Sequence, residues 1–161
     1  FTASPNDATL IAVMPTSWYG AITTSNSPRK ARTRREGRDL SVITFGAQVL
    51  TALDAAEELE KEGLDVEVID LRTLAPMDKE AILASVKKTS RALILHEASL
   101  TGGIGGEISA IISQEAFEWL DAPVVRVASI DTPVPYSPPM EDYYLPQVND
   151  VLAAARKLAA Y

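Results

Sequence analysis

His96-Glu97 stands directly after the apolar run Ala92-Leu93-Ile94-Leu95, and a glycine cluster follows at Gly102-Gly103-Ile104-Gly105-Gly106. An imidazole beside a carboxylate is a pair suited to general acid–base catalysis. Glycines ahead of a helix leave free N–H groups that can take an anion. Each feature also has a purely structural reading. A His-Glu pair at a strand end commonly hydrogen-bonds the next loop or a neighbouring subunit, and rim residues of this kind are usually satisfied that way. Glycines permit a tight turn and close helix–sheet packing, and Glu107 in the first helical turn already complements the helix dipole. The structural reading is favoured for both.

Other chemistry is excluded by spacing or by composition. A zinc-protease motif needs a second histidine four residues after His96, where Leu100 stands. Read from Gly103, the dinucleotide-binding pattern keeps Gly105, but its third glycine falls at Ile108. No phosphate-binding GKS or GKT occurs, nor the G-x-S-x-G of a nucleophile elbow. Cysteine is absent and His96 is the single histidine. Disulfides and thiol nucleophiles are thereby excluded, and a structural zinc site is disfavoured. Asp70-Leu71-Arg72 can form a local ion pair at a strand end, worth little if solvated. Asp131 and Asp142 border a proline-rich loop as caps or binding groups. No catalytic constellation is complete within the chain.

Charge is unevenly spread over the 161 residues. Arg29, Lys30, Arg32, Arg34, Arg35 and Arg38 crowd one short segment, while the residues from Asp39 onward carry a net charge of −11. An acidic body disfavours nucleic acid and anionic membrane as partners and attracts a basic protein. The basic segment has no interleaved aromatics on which bases could stack. No apolar run approaches the roughly 20 residues that span a bilayer.

These groups need a scaffold, and the hydrophobic pattern supplies one. Residues 1–27 read as a poorly defined arm, with a short helix at 7–13. Beyond them, Ala31-Arg32-Thr33-Arg34-Arg35 and Leu40-Ser41-Val42-Ile43-Thr44-Phe45 flank Glu36-Gly37-Arg38-Asp39, which predicts a β-hairpin. A helix is predicted over 47–61, with Val49, Leu53, Ala56 and Leu59 inward and Gly63 as its stop. A strand at 66–71 precedes a helix capped by Asp78. The strand 92–95 leads to a helix over 103–119, and 124–127 forms the last strand. A loop over 133–139 precedes a helix burying Val148, Val151, Leu152, Ala155, Leu158 and Ala159. Alternating strands and helices predict an α/β fold. Its mostly parallel, doubly wound mixed sheet has about five strands, helices on both faces and one antiparallel hairpin strand.

Several stretches together resemble one family. They are Lys30 through Leu40, Thr44-Phe45-Gly46, Asp70-Leu71-Arg72-Thr73-Leu74-Ala75-Pro76-Met77-Asp78, His96 through Ile108, Leu120-Asp121-Ala122-Pro123-Val124 and Asp131-Thr132-Pro133-Val134-Pro135. They resemble the C-terminal, transketolase-like domain of the β subunit, or β portion, of a thiamine-diphosphate-dependent 2-oxoacid dehydrogenase E1, of the pyruvate or branched-chain type. The match covers residues 28–161. The stretch 100–121 leans toward the branched-chain or fused α–β type.

The resemblance implies an enzyme that decarboxylates a 2-oxo acid and passes the acyl group to lipoyl on E2. Its cofactor is thiamine diphosphate with Mg²⁺, bound between the α-type domain and a pyrimidine-binding domain. That second domain has no counterpart among these residues, beyond a faint likeness of 1–13 to its last segment. No catalytic, cofactor or metal residue is carried over, no cofactor is expected on this chain alone, and the chain is expected to be inactive by itself. Implied partners are the E1 α subunit, a second β copy and the basic subunit-binding domain of E2. For the last, the resemblance assigns Asp121, in Leu-Asp-Ala-Pro, and the terminal carboxylate at Tyr161. His96 and Glu97 remain interface or rim candidates. The implied location is the bacterial cytoplasm, or the mitochondrial matrix in a eukaryote. The alternative is a stand-alone small-ligand module built on His96-Glu97 and the glycine turn.

Overall fold

The computed structural model describes residues 30–161. The arm over 1–27 and the helix expected at 7–13 lie outside them. The elements run β1 (Arg32–Arg35), β2 (Leu40–Thr44), α1 (Gln48–Lys61), β3 (Val66–Asp70), α2 (Lys79–Thr89), β4 (Ala92–Ser99) and α3 (Ile104–Glu115). They continue with a single 3₁₀ turn (Phe117–Trp119), β5 (Val125–Ser129), α4 (Pro138–Tyr144) and α5 (Val148–Ala159).

The five strands form one sheet in the order β1-β3-β2-β4-β5. β1 runs antiparallel to β3, and the other neighbours are parallel. From β2 the chain moves outward to β3, then returns across the sheet to β4. The carboxyl ends of β2 and β4 therefore flank a topological switch point.

Alternation along each strand feeds two cores. Leu40, Val42, Val66, Val68, Leu93 and Leu95 pack against Ala52, Ala55, Ala56 and Leu59 of α1 and Val151, Leu152, Ala155 and Leu158 of α5. On the opposite face Ile43, Ile69 and Ile94 meet Ile82 and Val86 of α2 and Ile108 and Ile112 of α3. Side chains of this size stabilise by about 1.5–3 kcal/mol each when fully buried. The doubly wound architecture is thus present, with helices on both faces.

The expected hairpin does not form. Arg32 lies opposite Asp70 and Thr33 opposite Ile69, so β1 pairs with β3 and not with β2. The connection crosses the amino end of β3. Arg38 and Asp39 each donate a backbone N–H to the Asp65 carbonyl (3.0 and 2.9 Å), and the Asp65 N–H donates to Asp39 Oδ2 (2.7 Å). Gly37 serves this close approach, because a Cβ there would strike the Val66 and Glu67 backbone.

Three smaller expectations also change. β4 continues to Ser99, beyond the apolar run. The helix expected over 103–119 stops at Glu115, where Ala116 leaves helical geometry at φ −136°. Ala159 is exposed. The caps follow the sequence: Asp78 Oδ1 accepts the Ala81 N–H (3.1 Å), and Gly63 takes φ +86° after α1.

Candidate functional site

His96 ends the apolar stretch of β4 and points into the core beneath α3, with no exposed surface. Its position alternates with Ile94 on the α3 face of the sheet. Gly103 and Gly105 make room for the ring. A Cβ on Gly103 would lie 2.8 Å from His96 Cε1, and one on Gly105 would fall on Nε2. Phe45, just past β2, lies nearly parallel to the imidazole at 12°, with ring centroids 6.5 Å apart. Among the described residues neither ring nitrogen reaches a partner at hydrogen-bonding geometry. Burial holds the imidazole pKa below its ordinary value; the Ala98 backbone acts the other way, and the Arg126 guanidinium adds to the depression.

Glu97 is exposed, and the register between β4 and β5 is irregular between His96 and Ser99. The two neighbours therefore do not work as an acid–base pair on one substrate. His96 is sealed under a helix instead of presented at the rim, while Glu97 is the residue left at the surface. At Gly103 and Gly105 the space a side chain would take is filled by the chain's own imidazole, so these two glycines serve close packing. No group of three or more His, Cys, Asp or Glu side chains among the described residues is placed to hold a metal ion. His96, Glu97 and the glycine turn do not fit thiamine diphosphate with Mg²⁺.

Two acidic residues singled out by sequence hold loops in place. Asp131 accepts the Thr101 N–H at Oδ1 (2.9 Å) and the Thr101 hydroxyl at Oδ2 (2.6 Å), and its carboxyl titrates below the usual range because of that hydroxyl. Beside it Arg126 Nη1 donates to the Leu100 carbonyl (2.9 Å). Asp70 accepts the Arg72 backbone N–H (3.0 Å), and its ion pair comes from Arg34 across the sheet (3.8 Å). Arg35 likewise meets Glu60 (3.2 Å) and Asp65 (3.4 Å). The basic segment thus spends charge on the body's own carboxylates.

Asp121 and Tyr161, forty residues apart in sequence, line one groove of about 390 Å³. Asp121 is placed by its backbone, whose N–H donates to the Ser90 carbonyl (2.9 Å) at the end of α2. Tyr161 follows α5, with its N–H on the Leu158 carbonyl (3.3 Å). Ser109 and Ser113 of α3 form one wall, and Phe117, Leu120 and Val124 supply apolar surface. Phe117 is 74% exposed. Sequence reasoning missed it, because the helix expected over 103–119 placed Phe117 inside a helix and hid the turn that exposes it. An aromatic beside the Asp121 carboxylate offers a cationic side chain both an apolar wall for its stem and counter-charge for its head.

The model of the transketolase C-terminal domain matches residues 29–151. The chain belongs to that family. Among curated proteins it is 48% identical over 132 residues to the pyruvate dehydrogenase E1 component subunit beta of Bacillus subtilis, covering 82% of this chain and 40% of that protein. The corresponding subunit of Rickettsia conorii is 42% identical over the same length and shares. This transketolase C-terminal-type chain thus spans about 40% of the length of those relatives. Among solved structures, a split-gene transketolase described as an inactive beta4 tetramer aligns with TM-score 0.72 and 28% identity, over 86% of this chain and 44% of that one. A Pichia stipitis transketolase aligns with TM-score 0.58 at 16% identity, over 82% of this chain and 18% of that one, a likeness of fold. The resemblance drawn from the motifs is borne out.

Proposed function

We propose that this chain is the assembly and E2-docking domain of a thiamine-diphosphate-dependent 2-oxoacid dehydrogenase E1. Decarboxylation and acyl transfer to lipoyl then depend on parts of the enzyme beyond these residues, and the chain alone turns over no substrate. The names of the relatives favour pyruvate over branched-chain 2-oxo acids as the substrate of the assembled enzyme. They also favour a bacterial cytoplasmic setting.

The observation that carries the docking role is the convergence of Asp121 and Tyr161 on one groove with an aromatic wall. A basic subunit-binding domain approaching a body of net charge −11 gains in encounter rate. In the groove an Arg or Lys head meets the Asp121 carboxylate, and the family resemblance adds the terminal carboxylate of Tyr161.

Calorimetric titration with an isolated E2 subunit-binding domain tests this. Asp121→Ala combined with removal of Tyr161 is expected to weaken binding at least about tenfold, a loss of about 1.4 kcal/mol. Unchanged affinity would count against the docking role.

A further inference from the structure

Gly103 stands at the N-cap of α3, and having no side chain it caps nothing. The first N–H groups of a helix have no partner inside it, and they carry partial positive charge. Glu107, the acid of the first turn, is exposed. Two further groups converge on this helix end. His96 lies beneath it without exposed surface, its ring against Gly103 and Gly105. Both ring nitrogens lack a partner among the described residues. A buried polar group left unpaired is uncommon, and an ion or water seated beside it is one explanation.

Arg126 of β5 approaches from the other side. Its Nη1 donates to the Leu100 carbonyl (2.9 Å) and lies 3.6 Å from where a Cβ on Gly106 would sit. Arg34, Arg35 and Arg156 each pair with a carboxylate. Arg126 has none within 4.0 Å among the described residues. It is close enough to His96 to act on the ring electrostatically. Gly103 and Gly105 are spent on packing the imidazole, but their neighbours are not. A Cβ on Gly102 would meet nothing within 4 Å, and one on Gly106 only the guanidinium.

We infer that the N-terminus of α3 and Arg126 form a binding site for a single phosphoryl group, seated between the helix end and the guanidinium and above His96. Backbone N–H groups and a planar guanidinium fork together offer more donors than a carboxylate's two oxygens can use, whereas a phosphoryl group presents three acceptors. Asp131 stands nearby, with its two oxygens taken by the Thr101 N–H and hydroxyl. Its charge and those of exposed Glu97 and Glu107 oppose an anion, so the affinity is modest. The site is separate from the Asp121 groove and does not depend on the E1 reading.

His96 is the chain's single histidine, so its imidazole NMR signals report on this place alone. The 161-residue chain is titrated with inorganic phosphate at constant pH, against NaCl of matched ionic strength. The imidazole signals should shift and saturate with a Kd of about 1 mM or below. Acetate should bind at least about tenfold more weakly. Arg126→Gln should weaken phosphate at least about tenfold. Because Arg126 also holds the Leu100 carbonyl, a second variant keeps it. Gly106→Asp sets a carboxylate beside the guanidinium and should abolish phosphate binding without lowering the melting temperature, since an acid suits the first turn of a helix. AMP identifies the source of the group: binding as tight as phosphate or tighter marks a phosphate ester, and weaker binding marks the free ion. Three results would overturn the inference: no saturable shift of the imidazole, a shift that survives both variants, or acetate bound as well as phosphate.

Discussion

A methyl group on Gly105 would fall on the His96 ring, so the two positions are coupled through van der Waals contact. Gly105→Ala should cost about 1–3 kcal/mol in urea unfolding, the usual range for overpacking a core. Paired with His96→Ala the cost should shrink, and a double-mutant cycle should give a coupling of at least about 0.5 kcal/mol. The imidazole carries a second expectation. Its pKa is depressed in the fold by burial, so the folded state favours the neutral ring. That contribution is complete above the unfolded pKa of about 6.5 and is lost as pH falls through the lower folded value. Arg126 is the charged group acting on it from β5. Melting temperatures from about pH 8 to about pH 5 should fall more steeply for the parent than for His96→Gln. Parallel curves would show that the ring does not titrate into a less stable form.

Elements were legible where their signals are local. The capped α2 and the Gly63 stop of α1 are examples: each depends on residues within a few positions of the helix end. The hairpin failed because strand pairing is non-local. Glu36-Gly37-Arg38-Asp39 has turn composition, yet the Asp65 carbonyl and a close backbone contact decide where the chain goes. α4 was missed because Pro138 and Pro139 read as breakers, whereas proline is well suited to the first turn of a helix. β1 and β3 also show how an acidic group is kept in the sheet. Glu67 is buried and meets Lys88 of α2, which in turn reaches Glu36 (2.9 Å). Lys88→Met leaves Glu67 buried without its cation and should destabilise the fold by about 1–3 kcal/mol. Adding Glu67→Gln should restore part of the loss, measured by the urea midpoint at constant m-value. A single substitution without effect would mean that Glu67 is satisfied by other groups.

At the scale of the molecule, Asp121 and Tyr161 line one groove because α5 returns across the sheet beside α1. Spacing along the chain cannot reveal this, since the groove is assembled from α3, the loop before β5 and the chain end. The proposed docking residues were therefore reachable by family likeness and unreachable by pattern, while both cores could be read from strand alternation. Among the described residues the fully buried members of those cores lie between Leu40 and Leu158, with Ala31 packed against the α2–α3 side. Among the described residues, the Ala31 N–H on Asp78 Oδ2 (2.9 Å) ties the front of the sheet to its body. The boundary expected from the sequence, residue 28, is a prediction that truncation tests. A chain starting there should unfold in one cooperative transition within about 4 °C of the full 161 residues, a shift corresponding to less than about 1 kcal/mol at this size. It should also keep its affinity for the E2 subunit-binding domain, because Asp121 and Tyr161 are held by α2, α3 and α5. Loss of the cooperative melt would move the boundary upstream. A normal melt with lost E2 affinity would put part of the docking surface within residues 1–27.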